Sequence, residues 1–288
     1  KIKHIFPEKI DLMIHAAASI RFQEHFADDT WNTNVQGTAN VLTLCKKLKV
    51  KNLILISTYY VSGCWPNGKV FKESDVGCNF DNDYESSKAH KEMMVKGFRE
   101  TGVNVIIIRI PVIIGTQGSY TGYYGFFKSF YKLKTNKKYL AKQLGITFDG
   151  EEMDMQGACI PCSDNSVLNL ATAEWTAEMI FKIIKKMPKN ETFHVINENP
   201  PLVKDVITTS LQTLKIKNIT LCKTGYNDLD KYIYKGINDF SKYITGEPAP
   251  NCDNLKKLLG EDYYPHPDVL PMLPGFLEEA INDNFADQ

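Results

Sequence analysis

The chain has 288 residues, 34 basic against 34 acidic side chains, and 43% apolar residues. That length can bury a large core, as one big domain or two small ones. Balanced charge argues against a strong pull toward nucleic acid or anionic membrane, and no apolar run reaches the length of a membrane span. Seven cysteines, odd in number and scattered, point to reduced thiols and a cytoplasmic setting. Cys159-Ile-Pro-Cys162 has the spacing of a redox or metal half-site. With no second pair or histidine at metal-finger spacing, ordinary thiols and no metal are expected.

Residues Ile10–Ala18 read as a buried strand ending in three small residues, Ala16, Ala17 and Ala18. Small side chains at a strand's carboxyl end let a ligand approach the backbone, and they equally suit a tight strand-to-loop junction. From Phe26 to Lys49 the pattern is helical, with Trp31, Val35, Ala39, Leu42 and Leu48 near one stripe. Asn34 lies inside it, where asparagine is a mediocre helix former. Strand Asn52–Ser57 follows, so strand–helix–strand signals a parallel sheet. Its end delivers the hydroxyls of Ser57 and Thr58.

A long loop, Gly63–Asp83, contains the turn signal Trp65-Pro66-Asn67-Gly68. Loops of this length in compact domains are often functional. A helix from Asp83 to Glu100 then places Tyr84 and Lys88 four residues apart on one face, ending at Thr101-Gly102. Val103–Ile114 is the strongest buried strand, broken at Pro111, and its Arg109 needs backbone or a carboxylate as partner. Tyr120–Leu140 is aromatic, basic and helical in pattern. Helices are expected over Leu168–Lys186, Leu202–Leu214 and Leu273–Asn282, and strands over Thr192–Asn197 and Ile219–Cys222.

The Tyr84–Lys88 spacing alone is unspecific, since it recurs at Tyr124 and Lys128 and chance supplies roughly 1.5 copies. Its chemistry is proton transfer. A nearby ammonium favours the phenolate, and the Thr58 hydroxyl could hold a carbonyl oxygen facing the phenol.

In order, His15-Ala-Ala-Ala18, Asn34-Val-Gln-Gly-Thr38, Ile56-Ser-Thr-Tyr-Tyr-Val-Ser-Gly63, Tyr84-x-x-x-Lys88 and Arg109-Ile-Pro-Val-Ile-Ile-Gly115 resemble the extended short-chain dehydrogenase/reductases. Ser57-Thr58, Leu168-Asn-Leu170, Phe193-His-Val-Ile-Asn197 and the tail from Asn254 through Tyr264-Pro265 to Leu277 resemble the thioester-reductase or male-sterility branch, which includes fatty acyl-CoA reductases. The resemblance implies an α/β, doubly wound Rossmann-type parallel sheet over 1–118 and 158–200, with a smaller substrate-binding region over 119–157 and 201–288. It implies an NADP(H)-dependent reductase, with NAD as the other possible cofactor, acting on a small-molecule or carrier-bound acyl chain. Thr58 would polarise the carbonyl, and Tyr84 would donate the proton. Lys88 would lower the phenol's pKa and hold the nicotinamide ribose, and Asn34 would support a relay water. Ala16, Ala17, Ala18, Tyr84, Pro111, Val112 and Ile113 would line the cofactor. The family's glycine-rich pyrophosphate turn has no counterpart here, so the N-terminal βαβ cofactor half is expected to be missing. Two other readings stand beside this one: an extended-family nucleotide-sugar epimerase or dehydratase, and a catalytically silent scaffold.

Overall fold

The computed structural model describes residues 9–66, 69–115, 120–135, 138–222, 228–237, 240, 243 and 249–286. Two compact units divide the chain, one of 1–111, 175–198 and 248–265, the other of 112–174, 199–247 and 266–288. Relative to the division expected from the sequence, 112–118, 158–174 and 199–200 group with the second unit and 248–265 with the first.

The first unit opens with strand β1 (Leu12–His15), helix α1 (Ala27–Trp31), a π-helical segment Asn32–Gln36, and helix α2 (Gly37–Lys47). Strand β2 (Asn52–Thr58), short strand β3 (Val70–Phe71), helix α3 (Asp83–Gly97) and strand β4 (Asn104–Ile110) follow. In β2 and β4 every central residue is apolar because both faces are covered. Leu53, Ile54, Leu55 and Val105 through Ile108 have no exposed surface, each worth about 1.5–3 kcal/mol of burial. Helix α3 starts where Asn82 caps it, accepting from the Glu85 amide at 2.9 Å. A 3-10 turn extends it to Gly102, whose φ of 83° provides the left-handed stop.

After Pro111 the chain enters the second unit with β5 (Val112–Ile114), α4 (Tyr123–Thr135), α5 (Lys138–Gln143), β6 (Thr147–Asp149), β7 (Glu152–Pro161) and β8 (Leu170–Thr172). Helix α6 (Ala173–Lys186) and β9 (Thr192–His194) return to the first unit. Then α7 (Val203–Thr213), β10 (Ile216–Cys222) and α8 (Asp228–Ile237) belong to the second, β11 (Ala249–Pro250) and α9 (Asp253–Leu259) to the first, and α10 (Leu273–Asn282) to the second. The central sheet is parallel in the order β1-β2-β4-β9. Parallel strands joined through helices bring β1 and β2 to a common carboxyl edge, the usual ligand edge of a doubly wound sheet. His15 and Thr58 end there.

In the second unit, Tyr120, Tyr123, Tyr124, Phe126, Phe127 and Phe130 are all buried in one core with Met153, Met155, Ile160 and Leu211. The aromatic run of α4 is therefore core, with no stacking platform for bases. Three expectations are corrected. Leu168–Thr172 is not helical: Leu170–Thr172 pair with Val112–Ile114, and the helix starts at Ala173. A ten-residue strand, β7, runs through a stretch with no predicted strand. Cys159 and Cys222 are joined as a disulfide with Cα atoms 6.0 Å apart, so the thiols are not all reduced. Pleating explains why Cys162 is not the partner of Cys159. Cys159 lies on β7 and Cys162 directly follows its last residue, so three residues apart on extended chain the two point to opposite faces, Cys162 into the core. The turn signal at Trp65–Gly68 ends on 67–68, outside the described residues.

Five cysteines remain free. Thiol titration of the denatured, unreduced chain is expected to count five groups and, after reduction, seven; seven before reduction would show the staple unformed.

Candidate active site

Thr58, Tyr84 and Lys88 come together in the first unit. The Thr58 side chain accepts from the Tyr60 amide at 3.3 Å and hydrogen-bonds the Tyr84 phenol. Since its oxygen already accepts from an amide, its own proton is free to be donated to Tyr84. Lys88 Nζ lies 6.0 Å from the centre of the Tyr84 ring and donates to the Ile56 carbonyl at 3.1 Å. The loop after Thr58 is locked by glycine. A Cβ on Gly77 would stand 1.5 Å from the Ser62 carbonyl oxygen, and the Gly77 amide donates to the Val61 carbonyl at 2.9 Å.

Asn34 sits fully buried in the π-helical segment, a form that recurs at functional sites. Its side chain does not go to Tyr84 or Lys88. Oδ1 accepts from the Ser19 amide at 2.8 Å, and Nδ2 donates to the Ser19 carbonyl at 3.0 Å and Ser87 Oγ at 2.9 Å. Asn34 thus ties the turn after β1 to helix α3 between Tyr84 and Lys88. Ala16 and Ala17 are exposed on that turn and Ala18 is half-buried. Pro111 closes β4, while Val112 and Ile113 pair with Leu170 and Ala171 in the second unit.

The electrostatics differ from the simple expectation for a phenol beside an ammonium. Burial pushes Tyr84 up to about 12, the Thr58 hydrogen bond offsets part of this, and Glu85 adds to it. Burial pulls Lys88 down to about 8, with Glu92 partly holding its charge. In the resting protein the phenol therefore keeps its proton and the ammonium remains charged. His15 is neutral, lowered to about 4 by burial and by Lys91 and Lys88. Its Nε2 lies 3.0 Å from Thr38 Oγ1, which donates to the Asn34 carbonyl at 2.6 Å. That leaves Thr38 only as acceptor, so Nε2 carries the imidazole proton.

Sequence reasoning saw that Arg109 needed a partner but missed the network it builds. Arg109 and Glu92 are both fully buried, paired at 2.8 Å, with a second contact from Nε at 3.0 Å. Burial alone would raise the Glu92 carboxyl, but Arg109 holds it below its usual range. The guanidinium also donates to the Glu73 and Asp75 carbonyls at 3.5 and 2.8 Å, and reaches His194 Nε2 at 3.1 Å. An arginine only donates, so His194 accepts there and offers Nδ1–H to the Asn251 carbonyl at 2.7 Å. One strand residue thereby holds helix α3 and the loop beyond Thr58, while His194 carries the hold on to the β11 region. The signal available in sequence was Glu92, eight residues beyond Tyr84 and so on nearly the same helix face.

The residues fit a nicotinamide dinucleotide. Lys88 spends one of three donors on Ile56, leaving others for ribose hydroxyls, and the exposed alanines leave the backbone after β1 open to close approach.

A parallel sheet with hydroxyl, phenol and ammonium at its carboxyl edge defines a Rossmann-type enzyme of the short-chain dehydrogenase/reductase class. The male sterility protein family matches residues 2–157, more than half the chain, and the chain belongs to that family within the extended branch of NAD(P)-dependent enzymes. A dTDP-D-glucose 4,6-dehydratase of Dictyostelium discoideum is 31% identical over 125 residues, covering 39% of this chain and 27% of that protein. Among solved structures, the terminal R domain of the myxalamid PKS-NRPS pathway superposes with a TM-score of 0.71 at 15% identity, over 96% of this chain and 69% of that one. RMD from Pseudomonas aeruginosa, complexed with NADPH, gives 0.68 at 15% identity over 96% and 84%. DesIV, a dTDP-glucose 4,6-dehydratase from Streptomyces venezuelae with NAD and TYD bound, gives 0.68 at 16% identity over 96% and 74%. Likeness at this identity shows the fold.

His15 and His194 stay neutral in the folded chain, lowered to about 4 and about 3, whereas unfolded histidine takes its proton near 6.5. Below 6.5 the unfolded state binds more protons, so their contribution to stability is lost as pH falls from about 6.5 toward 4 and then 3. Urea midpoints are expected to drop steadily from pH 7 to 5, with a shallower slope in His194→Gln; an unchanged slope would put the titration elsewhere.

Proposed function

We propose that this chain carries the proton-donating residues of an NADP(H)-dependent reductase that converts an acyl thioester, on coenzyme A or a carrier protein, to an aldehyde. The observation that carries the reading is the Thr58–Tyr84 hydrogen bond with Lys88 beside the phenol ring. The family match and the likeness to a terminal R domain favour this substrate class.

When bound, the nicotinamide would supply hydride to the carbonyl carbon. Thr58 orients the carbonyl oxygen toward Tyr84 by donating to it. Tyr84, held protonated by burial, gives its proton to the oxygen as negative charge develops there. With the Thr58 proton turned to the carbonyl oxygen, the phenolate left behind is stabilised by the Lys88 ammonium, a charge the resting phenol does not need. Asn34, through Ser19 and Ser87, acts as a positioning residue for the turn and the helix. Collapse of the reduced adduct with loss of the thiol gives aldehyde, so acyl thioester, reduced cofactor and one proton yield aldehyde, thiol and oxidised cofactor.

A second reading, a nucleotide-sugar dehydratase, rests on the Dictyostelium relative. Dehydration needs an acid and a base beside the sugar, but Thr58 is followed by Tyr59 and Tyr60, and Glu85 accepts from the Asp81 amide at 3.2 Å. That chemistry favours reduction over dehydration.

The test is oxidation of NADPH with acyl-CoA, carrier-bound acyl chain or free aldehyde, beside water loss from a nucleotide-diphosphate sugar with NAD. We expect NADPH consumption with a thioester. Tyr84→Phe is expected to cut turnover 100-fold or more while keeping dinucleotide affinity. Full activity in that variant would end the donor assignment, and sugar dehydration without thioester reduction would reverse the substrate class.

A further inference from the structure

Lys91 takes no part in the chemistry above, yet it is a charge buried on α3. Its residue has no exposed surface, and its Nζ donates to the Ala17 carbonyl at 2.8 Å. Glu92 pairs with Arg109 and Lys96, and no carboxylate among the described residues offsets the burial of Lys91. The charged and titratable groups facing Lys91 are Lys88 on its own helix and His15 at the end of β1, the latter neutral. A buried ammonium costs several kcal/mol of desolvation in general and is retained where it does something. Here it holds a backbone carbonyl of the small-residue turn against the catalytic helix. Asn34 holds the same turn two residues on, through both backbone groups of Ser19.

We infer that Lys91 is a positioning residue for dinucleotide binding, setting the Ala16–Ala18 turn at the height at which the cofactor meets it. Its link to the cofactor rests on the reductase reading; the pin itself does not. The pin is adjustable. Burial and the neighbouring Lys88 bring Lys91 down to about 7, so its charge is lost as pH rises through neutrality. A charged donor bonds roughly twice as strongly as a neutral one, so the turn is held more loosely above that pH.

Three variants of the 288-residue chain test this. In cofactor-free protein, Lys91→Met is expected to speed amide hydrogen exchange at residues 17–19 at least tenfold, with exchange in β2 and β4 unchanged. NADPH affinity should weaken about tenfold, as expected for losing one hydrogen bond from a charged donor, with turnover at saturation little altered. In wild type the dissociation constant should rise between pH 6 and pH 8. Lys91→Arg should restore much of the affinity and flatten that rise, because arginine does not titrate there. Tyr84→Phe should keep the whole binding profile. Unchanged exchange in Lys91→Met, or affinity and pH dependence identical to wild type, would overturn the proposal. Failure of the wild-type chain to bind dinucleotide would defeat the reductase reading and the affinity half together; exchange alone would then decide the pin.

Discussion

The Arg109–Glu92 ion pair is what the rest of the first unit depends on. Helix α3 buries Glu85, Lys88, Lys91 and Glu92 along with Ser87, Ala89 and Val95. A face so polar gives the hydrophobic effect little to choose a rotation by. Directional contacts choose it instead: Glu92 to Arg109 on β4, Lys88 to the Ile56 carbonyl on β2, and Lys91 to the Ala17 carbonyl after β1. Each fixes the helix against a different part of the sheet. Between two charges with no exposed surface, losing Glu92 leaves the guanidinium without its carboxylate, a cost of about 3–5 kcal/mol, while losing Arg109 leaves Glu92 only the Lys96 ammonium at 3.7 Å. The geometry of Tyr84 is thus set by a pair one strand away from it.

That same burial decides the charge states. A phenol at about 12 next to an ammonium at about 8 is the order expected when desolvation outweighs the partial offsets, the Thr58 hydrogen bond for the phenol and Glu92 for the ammonium. Lys88 does not create a standing phenolate. In the proposed reaction it would lower the cost of forming one, as suits a residue that holds its proton until negative charge develops on a bound oxygen.

Much of this was legible in sequence. The apolar runs around Ile54 and Ile107 are nearly continuous because both sheet faces are covered, and Pro111 breaks its strand where expected. Helix α10 occupies the predicted span. The spacing of Tyr84 and Lys88 placed both on one face, but not that the face is buried, since charged residues at helical spacing ordinarily read as a solvated surface. Asn34 was visible as an odd helix residue, whereas its amide pairing with Ser19 is a contact between segments that no periodicity reports. Strand β7 escaped for a local reason. Met153 and Met155 alternate toward the core, then Gln156 and Gly157 take positive φ values of 52° and 81°, and the alternation resumes one residue out of phase at Ala158 and Ile160. A bulge of this kind erases the period-two signal across the strand's middle.

The disulfide follows from that shifted phase. Without the extra residue, Cys159 would face the core beside Met153 and Met155. The shift turns Cys162 inward instead and puts Cys159 on the face it shares with Cys222, where the parallel ladder sets Cys222 opposite Pro161. The Asp230 carboxylate then accepts from the Cys159 amide at 2.7 Å, fixing the backbone at the staple. A motif that looks like a dithiol pair is thus divided by the pleat, one sulfur for the core and one for the neighbouring strand. The spacing of two cysteines predicts their chemistry only once the secondary structure beneath them is known.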